Sequence, residues 1–418
     1  MNLYFVLGFF LVAVASLFLF ADEEHLDGLH DDVVPDDGDG LGDGSDSPDG
    51  DGAAAEDDAS GSGDDEVPPD DGDVSLYDAG KKNTSRAGDG HVYLVQVGAK
   101  TVIEKGADAV ISDLKRGGAN TVALQVFSDE DYTGVYWDSK IAPVRQDILD
   151  EFILEAHENG LSVFAWMTTL DMVWIYEAHP EMRLRAYTRG KITEDTGWYQ
   201  RVSPCSPVHR EYAVSVFREI AENYDVDGIL LQDDLYWDSN EVFDDFAKDE
   251  YFRDTGRVLT SGEIGTSKFH AWKSGKLTSL VKSINDEIKS VDPQVKLAVN
   301  IYYGCVLDEP WCLSSFGQDY GALLDNSDYM AIMAYHVPAR ETPSWVGDVA
   351  KGALLKETGG REAIIKVQVV DWERGRNVDS SAVKDALLAA KRAGARNLGF
   401  YLSGRSMSEM DLSFERLS

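Results

Sequence analysis

DILDEFILEAHENGLSVFAWM, residues 147–167, contains the unit from which the fold is read. An amphipathic helix over 147–158 stops at Asn159-Gly160, residue types that end helices, and an apolar run of strand length follows at once, Leu161–Met167. The same pairing recurs elsewhere. A helix over 107–116 stops at Gly117-Gly118 ahead of NTVALQVF (Asn120–Phe127), and one over 380–392 stops at Ala393-Gly394 ahead of NLGFYL (Asn397–Leu402). Five further runs have the same character: HVYLVQV (His91–Val97), DGILLQD (Asp227–Asp233), VKLAVNI (Val295–Ile301), YMAIMAY (Tyr329–Tyr335) and IIKVQVV (Ile364–Val370). Strands apolar on both faces and alternating with helices predict a parallel sheet covered by helices. Eight of them within residues 91–418 predict a closed (β/α)8 barrel of the TIM type. The competing doubly wound open sheet lacks support, because VQVGAKT after the first run carries no Gly-rich dinucleotide fingerprint.

The chain has 418 residues, 75 acidic against 38 basic, and a formal net charge of −37. The surplus is uneven: between Asp22 and Gly80 stand 23 acidic residues and no lysine or arginine, which leaves 52 acidic against 38 basic for the remainder. A nucleic-acid binder needs a basic face to neutralise phosphates, so that class is excluded. Residues 22–90 are Asp, Gly, Ser and Pro with almost nothing to bury, as in DGDGLGDGSDSPDGDG, and read as a flexible acidic linker. Its Asp-Gly pairs lack the nine-residue period of calcium-binding repeats. Asn83-Thr84-Ser85 is a glycosylation acceptor pattern. Ahead of the linker, Leu3–Ala21 is almost purely apolar and close to the minimum length for a membrane span. No basic residue precedes it and the small-x-small site Ala13-Val14-Ala15 lies inside it, which favours a retained anchor over a cleaved signal peptide; either way the expectation for residues 1–21 is export. Three cysteines exclude a disulfide-dense fold; Cys305 and Cys312 are spaced for a local disulfide, and Cys205 has no evident partner and is expected in the interior.

In a barrel of this kind the active site forms at the C-terminal ends of the strands. One parity of the runs is aliphatic: Val122, Leu124 and Val126; Ile229 and Leu231; Val295, Leu297, Val299 and Ile301; Val367 and Val369. These are expected beneath the helices. The other parity turns polar or aromatic toward the C-terminal end: Gln125 and Phe127, Phe164 and Trp166, Gln232 and Asp234, Asn300 and Tyr302, and Gln368. Buried amides are hard to satisfy under helices and easy to satisfy at a wet mouth, so this set is expected to line the pocket. Amides and carboxylates that bond hydroxyls in both directions, beside aromatic rings that stack on a pyranose, suit a sugar. Tyr335 and His336 follow the sixth run and join the lining. A lone His makes a poor metal site, and no metal motif or G-x-S-x-G elbow is present, so neither a metal nor a cofactor is expected.

The sharpest feature is DGILLQDD, Asp227–Asp234. Two adjacent carboxylates at a strand end lie where barrel enzymes place acids. By parity Asp234 is expected to face the axis and Asp233 a neighbouring loop, and one of them, held near the other's charge and partly desolvated, would serve as general acid. A bland reading is that one of the pair caps the following helix. Asp227 begins the strand at the far end of the barrel, where a structural role is expected. After the seventh run, Asp371 is a candidate for a second acid across the mouth and Trp372 for a stacking platform.

These residues carry a family resemblance. Val126 to Asp245 resembles the C-terminal, glycoside-hydrolase-like domain of the poly-β-1,6-N-acetylglucosamine N-deacetylase proteins of biofilm export. The match rests on Ala142-Pro143-Val144-Arg145-Gln146-Asp147, Val163-Phe164-Ala165-Trp166-Met167, Arg201-Val202-Ser203-Pro204 and Asp227 through Asp234, and continues in Val367-Gln368-Val369-Val370-Asp371-Trp372 and Leu398-Gly399-Phe400-Tyr401. It implies a barrel that hydrolyses partly de-N-acetylated β-1,6-linked glucosamine polymer, with Asp233 and Asp234 as the catalytic region and Arg145, Trp166, Gln368, Asp371 and Trp372 binding sugar. Two departures stand out. An acidic linker occupies the place of the family's metal-binding deacetylase domain, so deacetylase activity is not expected, and Gln232 stands where the family has His before the paired aspartates. The leading expectation is an exported, membrane-anchored, monomeric glycosidase with Asp234 as general acid and Asp233 in support. The alternative from another class is a catalytically silent barrel that binds polysaccharide at the cell surface. The acidity fits attraction of a cationic amine polymer, but the linker's share of it lies outside the barrel and fits solubility in high salt better.

Overall fold

The computed structural model describes residues 90–128, 134–194 and 199–417. The apolar leader, the glycosylation pattern at Asn83 and all of the acidic linker but Gly90 lie outside the described residues. Among the described residues, no helix is long and apolar enough to cross a membrane.

Eight parallel strands close on themselves: β1 (Tyr93–Val97), β2 (Thr121–Gln125), β3 (Ser162–Met167), β4 (Gly228–Leu231), β5 (Lys296–Tyr302), β6 (Tyr329–Met333), β7 (Glu362–Val367) and β8 (Asn397–Tyr401). Each pairs with its sequence neighbours and β1 pairs with β8, so the sheet has no free edge. The principal outer helices are α1 (Ala107–Arg116), α2 (Leu149–Glu158), α3 (Pro207–Asn223), α4 (Ser267–Val291), α5 (Val346–Leu354) and α6 (Ser380–Arg392). Local chemistry sets their limits. Ser206 caps α3 by accepting from the His209 amide, with Pro207 in the first turn, and Thr266 caps α4 in the same way through Phe269. Past α2, Gly160 takes a left-handed φ of 75°, which turns the chain into β3.

The aliphatic parity is fully buried, as Val122, Leu124, Ile229, Leu231, Leu297, Val299 and Ile301 all show. The barrel interior is packed. Phe164 on β3 reaches across to Tyr329 on β6, ring centroids 6.4 Å apart, and its ring lies flat against Gly228 at the start of β4. A Cβ at Gly228 would fall 2.6 Å from Phe164 Cζ, which accounts for the glycine after Asp227. Asp227 itself braces the lower end: one carboxylate oxygen accepts from His157 Nε2 at 2.9 Å and from the Val163 amide at 2.8 Å. The C-terminal segment covers that end, with Phe414 stacked on Tyr93 at 4.7 Å and on Phe400 at 5.4 Å. Cys305 and Cys312 are disulfide-bonded, and Cys205 is free and buried.

The Phe164–Gly228 contact gives a stability test. Gly228→Ala is expected to cost about 1–3 kcal/mol in urea unfolding, the usual range for an overpacked core site. Adding Phe164→Leu should recover part of that loss, and strict additivity of the two changes would mean that the ring does not set the requirement for glycine.

Candidate active site

Strand β4 ends at Leu231, and the chain turns before it reaches the paired carboxylates. The alternation of the strand therefore does not extend to them, and their placement is the reverse of the parity expectation. Asp234 is fully buried and faces the loop after β3. Its Oδ2 accepts from Thr168 Oγ1 at 2.8 Å and from the amides of Thr169 (2.9 Å), Leu170 (2.5 Å) and Asp171 (2.6 Å). Its other oxygen, Oδ1, is buried and has no hydrogen-bond partner among the described residues. Burial pushes this carboxyl up from 3.8 to about 6 in spite of the four donors on Oδ2. Asp234 is thus a clamp on the β3 loop rather than an acid facing the axis.

Asp233 is partly exposed and faces the mouth. Its Oδ1 accepts from the Tyr199 hydroxyl at 3.1 Å. Burial raises its carboxyl above the ordinary range, opposed first by the positive charge of Lys366 and then by the Tyr199 bond. Its charge is felt by Tyr236 after β4, Tyr302 at the end of β5 and Tyr335 after β6.

Two side chains beneath Asp233 join three strands. Lys366 on β7 is buried and donates from Nζ to Asn300 Oδ1 on β5 at 2.6 Å, and Asn300 Nδ2 donates to the Leu231 carbonyl at the end of β4 at 2.9 Å. Burial pulls the Lys366 ammonium down to about 8, and Asp233 opposes that fall. Arg201 lies entirely inside, its guanidinium 3.8 Å over the Tyr236 ring, and donates to the Tyr236 carbonyl at 2.6 Å and to Glu241 at 2.7 Å.

Aromatic rings form the walls. Trp166 donates from Nε1 to Gln232 Oε1 at 2.7 Å and meets Tyr401 edge-on at 5.2 Å. Tyr302 stacks on Phe316 at 3.9 Å, and Tyr335 leans on the half-buried Trp372 at 5.4 Å. Phe316 ends the helix that carries Cys312, which the disulfide ties to Cys305 just past β5.

Other sequence candidates hold the frame instead of facing the pocket. Gln125 accepts from the Ala99 amide at 3.3 Å. Gln368 accepts from the Val337 amide at 3.2 Å and donates to the Val370 carbonyl at 2.6 Å, which braces two loops. Asp371 does not complete an acid pair: it is buried and ion-paired to Arg374 at 3.0 Å and Arg376 at 3.4 Å across a two-residue hairpin. His336 is buried, which lowers its pKa and keeps it neutral. Arg145 is exposed on the loop after β2. Tyr199, Lys366, Tyr236 and Tyr401 are site residues that sequence reading missed. For Lys366 a signal existed, since a lysine in the middle of IIKVQVV shares the parity of Gln368.

Residues 95–401 match the model of a family described as hypothetical glycosyl hydrolase family 13. The chain is 23% identical over 320 residues to the poly-beta-1,6-N-acetyl-D-glucosamine N-deacetylase of Escherichia coli strain K12, an alignment covering 72% of this chain and 47% of that protein. It is 24% identical over 209 residues to the glycosyl hydrolase YngK of Bacillus subtilis strain 168, covering 46% of this chain and 38% of that one. The chain thus spans about half the length, or less, of these curated relatives. Among solved structures it is similar to the glycoside hydrolase domain of PgaB (BpsB) from Bordetella bronchiseptica, with a TM-score of 0.65 and 22% identity, over 74% of this chain and 94% of that one. That likeness shows the barrel fold.

The clamp at Asp234 predicts a pH dependence of stability. The folded carboxyl holds its proton up to about 6 while the unfolded one releases it near 3.8. The folded state is therefore favoured below the lower value and loses that advantage as the pH climbs through 6, by about 3 kcal/mol in all. Asp234→Asn keeps an acceptor for the loop donors and removes the titration. Its unfolding free energy should be flatter than the parent's between pH 4 and 6.5, and equal slopes in urea titrations would remove Asp234 as the cause.

Proposed function

Since the chain belongs to hypothetical glycosyl hydrolase family 13 and is a glycoside hydrolase, we propose that it cleaves partly de-N-acetylated β-1,6-linked glucosamine polymer with Asp233 as the proton donor. One observation carries the assignment of the acid: of the two adjacent carboxylates, only Asp233 meets the mouth, since Asp234 is enclosed by the β3 loop. A glycosidic oxygen leaves as an alcohol only if it is protonated as the bond breaks. A desolvated carboxyl with a raised pKa keeps its proton closer to neutral pH, and the Tyr199 hydroxyl fixes one of its oxygens so that the other is available to the sugar.

The substrate class rests on three supports. The chain is similar to about half of a poly-beta-1,6-N-acetyl-D-glucosamine N-deacetylase. Trp166, Tyr302 and Trp372 offer rings around the acid, and Gln232 adds an amide for hydroxyls. The acidic surplus outside the linker draws a polymer with protonated amines. We place the enzyme outside the cytoplasm as a monomer held by Leu3–Ala21. The apolar leader and the Cys305–Cys312 disulfide support that placement, because such bonds persist in oxidising compartments.

The decisive measurement is reducing-end release from partly de-N-acetylated β-1,6-glucosamine polymer. The parent should cleave it, and Asp233→Asn should lose about 10²–10⁴-fold in kcat while still binding polymer. Binding by the parent without any cleavage would leave the silent, polysaccharide-binding barrel. Cleavage that survives Asp233→Asn would move the acid elsewhere.

A further inference from the structure

Lys366 is an expensive residue where it stands. It is 2% exposed, next to last in a strand whose other residues after Glu362 are Ala, Ile and Val. Among the described residues no carboxylate lies within ion-pair distance of it, and its one hydrogen bond goes to a neutral amide oxygen, Asn300 Oδ1. An apolar side chain of similar length would pack there at lower cost, so stability alone does not account for an ammonium. Its geometry is also fixed. Asn300 commits its NH₂ to the Leu231 carbonyl, which leaves only the amide oxygen toward Lys366 and locks the orientation of the tether. Leu231 is two residues ahead of Asp233.

We propose that Lys366 is a positioning residue for the proton donor Asp233: its ammonium, tethered through Asn300 to the end of β4, is a fixed positive charge beneath the sugar-binding mouth that keeps this half-buried carboxyl a strong enough acid to protonate the leaving oxygen. The inference rests on the reading of Asp233 as the acid. The groups around Asp233 are Tyr199 from the loop after β3, Asp234 and Tyr236 beside it, Tyr302 from β5, Tyr335 after β6 and Lys366 from β7. The tyrosines are neutral, because burial raises each of their hydroxyls above the ordinary range. Arg201, stacked against Tyr236, is offset by its bond to Glu241. Lys366 therefore supplies the positive field. Without it, desolvation is opposed only by the Tyr199 bond and a backbone bond, and Asp233 becomes too weak an acid to donate efficiently.

The test titrates Asp233 itself. Protein with ¹³C-labelled aspartate carboxyls is followed by NMR across the pH range without substrate, and the Asp233 signal is identified by its loss in Asp233→Asn. In Lys366→Met the carboxyl should titrate about 1–3 pH units higher than in the parent, the span set by removal of a neighbouring opposite charge. The alkaline limb of the kcat/KM profile should move the same way, and kcat should fall at least tenfold while KM changes little. Lys366→Gln keeps a donor toward Asn300 without the charge and should show the same upward move, which covers the case in which the methionine variant does not fold. An Asp233 titration unchanged in either folded variant overturns the proposal. A shifted titration in a protein that cleaves no glucosamine polymer would sustain the role of Lys366 while removing the proposed substrate.

Discussion

The site is organised by one enclosed carboxylate. Asp234 gathers a hydroxyl and three successive amides of the β3 loop onto a single oxygen. The donors in such a nest have no other acceptor inside the barrel wall, and a buried amide left unpaired is costly. The loop therefore folds around the end of β4, and that has two consequences. The backbone between Leu231 and Asp234 must turn, which presents Asp233 to the mouth. The loop is also held where its later part brings Tyr199 onto Asp233. The adjacent acids divide the work: Asp234 builds the wall against which Asp233 is exposed.

The same economy runs through the rest of the mouth, where buried polar side chains tie the strand ends together. Arg201 spans Tyr236 and Glu241, and Gln318 accepts from the Tyr302 amide and donates to the Leu235 carbonyl. Lys366 and Asn300 tie β7 to β5 and β4. Each link crosses between loops or strands distant in sequence, so the strand ends are fixed relative to one another before any sugar arrives. Preorganisation of this kind matters for a glycosidase because the proton must reach one particular oxygen, and displacements of an ångström are expensive.

The eight strands were legible because burial on both faces leaves apolar runs of strand length, and glycine or asparagine marks the helix stops at 117–118, 159–160 and 393–394. Runs read one to three residues too long where hydrogen bonding to the neighbouring strand ends before the hydrophobicity does, as at Phe127 and Val370. The paired aspartates were legible as a strand-end feature, and which of them is enclosed was not. Period-two alternation holds only while the backbone stays extended, and Asp233 lies beyond that limit. Asp371 and Gln368 looked like ligands because sequence does not show the arginines or loop amides that engage them. Tyr199 was hidden for another reason: it sits 34 residues from Asp233 in a loop with no periodicity to read.

The charge distribution separates attraction from chemistry by distance. Outside residues 22–80 the chain keeps 52 acidic against 38 basic groups, an excess spread over an outer surface where salt confines each charge to about 8 Å. A field of that kind raises the local concentration of a polycation and does little to one proton on one carboxyl. At the floor of the mouth Lys366 adds one buried positive charge. Lys366 is out of reach of counterions, so its field on Asp233 is weakly screened and does not depend on the salt that governs encounter. On the proposed reading, capture of a cationic polymer should therefore weaken with ionic strength while the acid strength of Asp233 holds, because the first depends on many screened charges and the second on one buried neighbour.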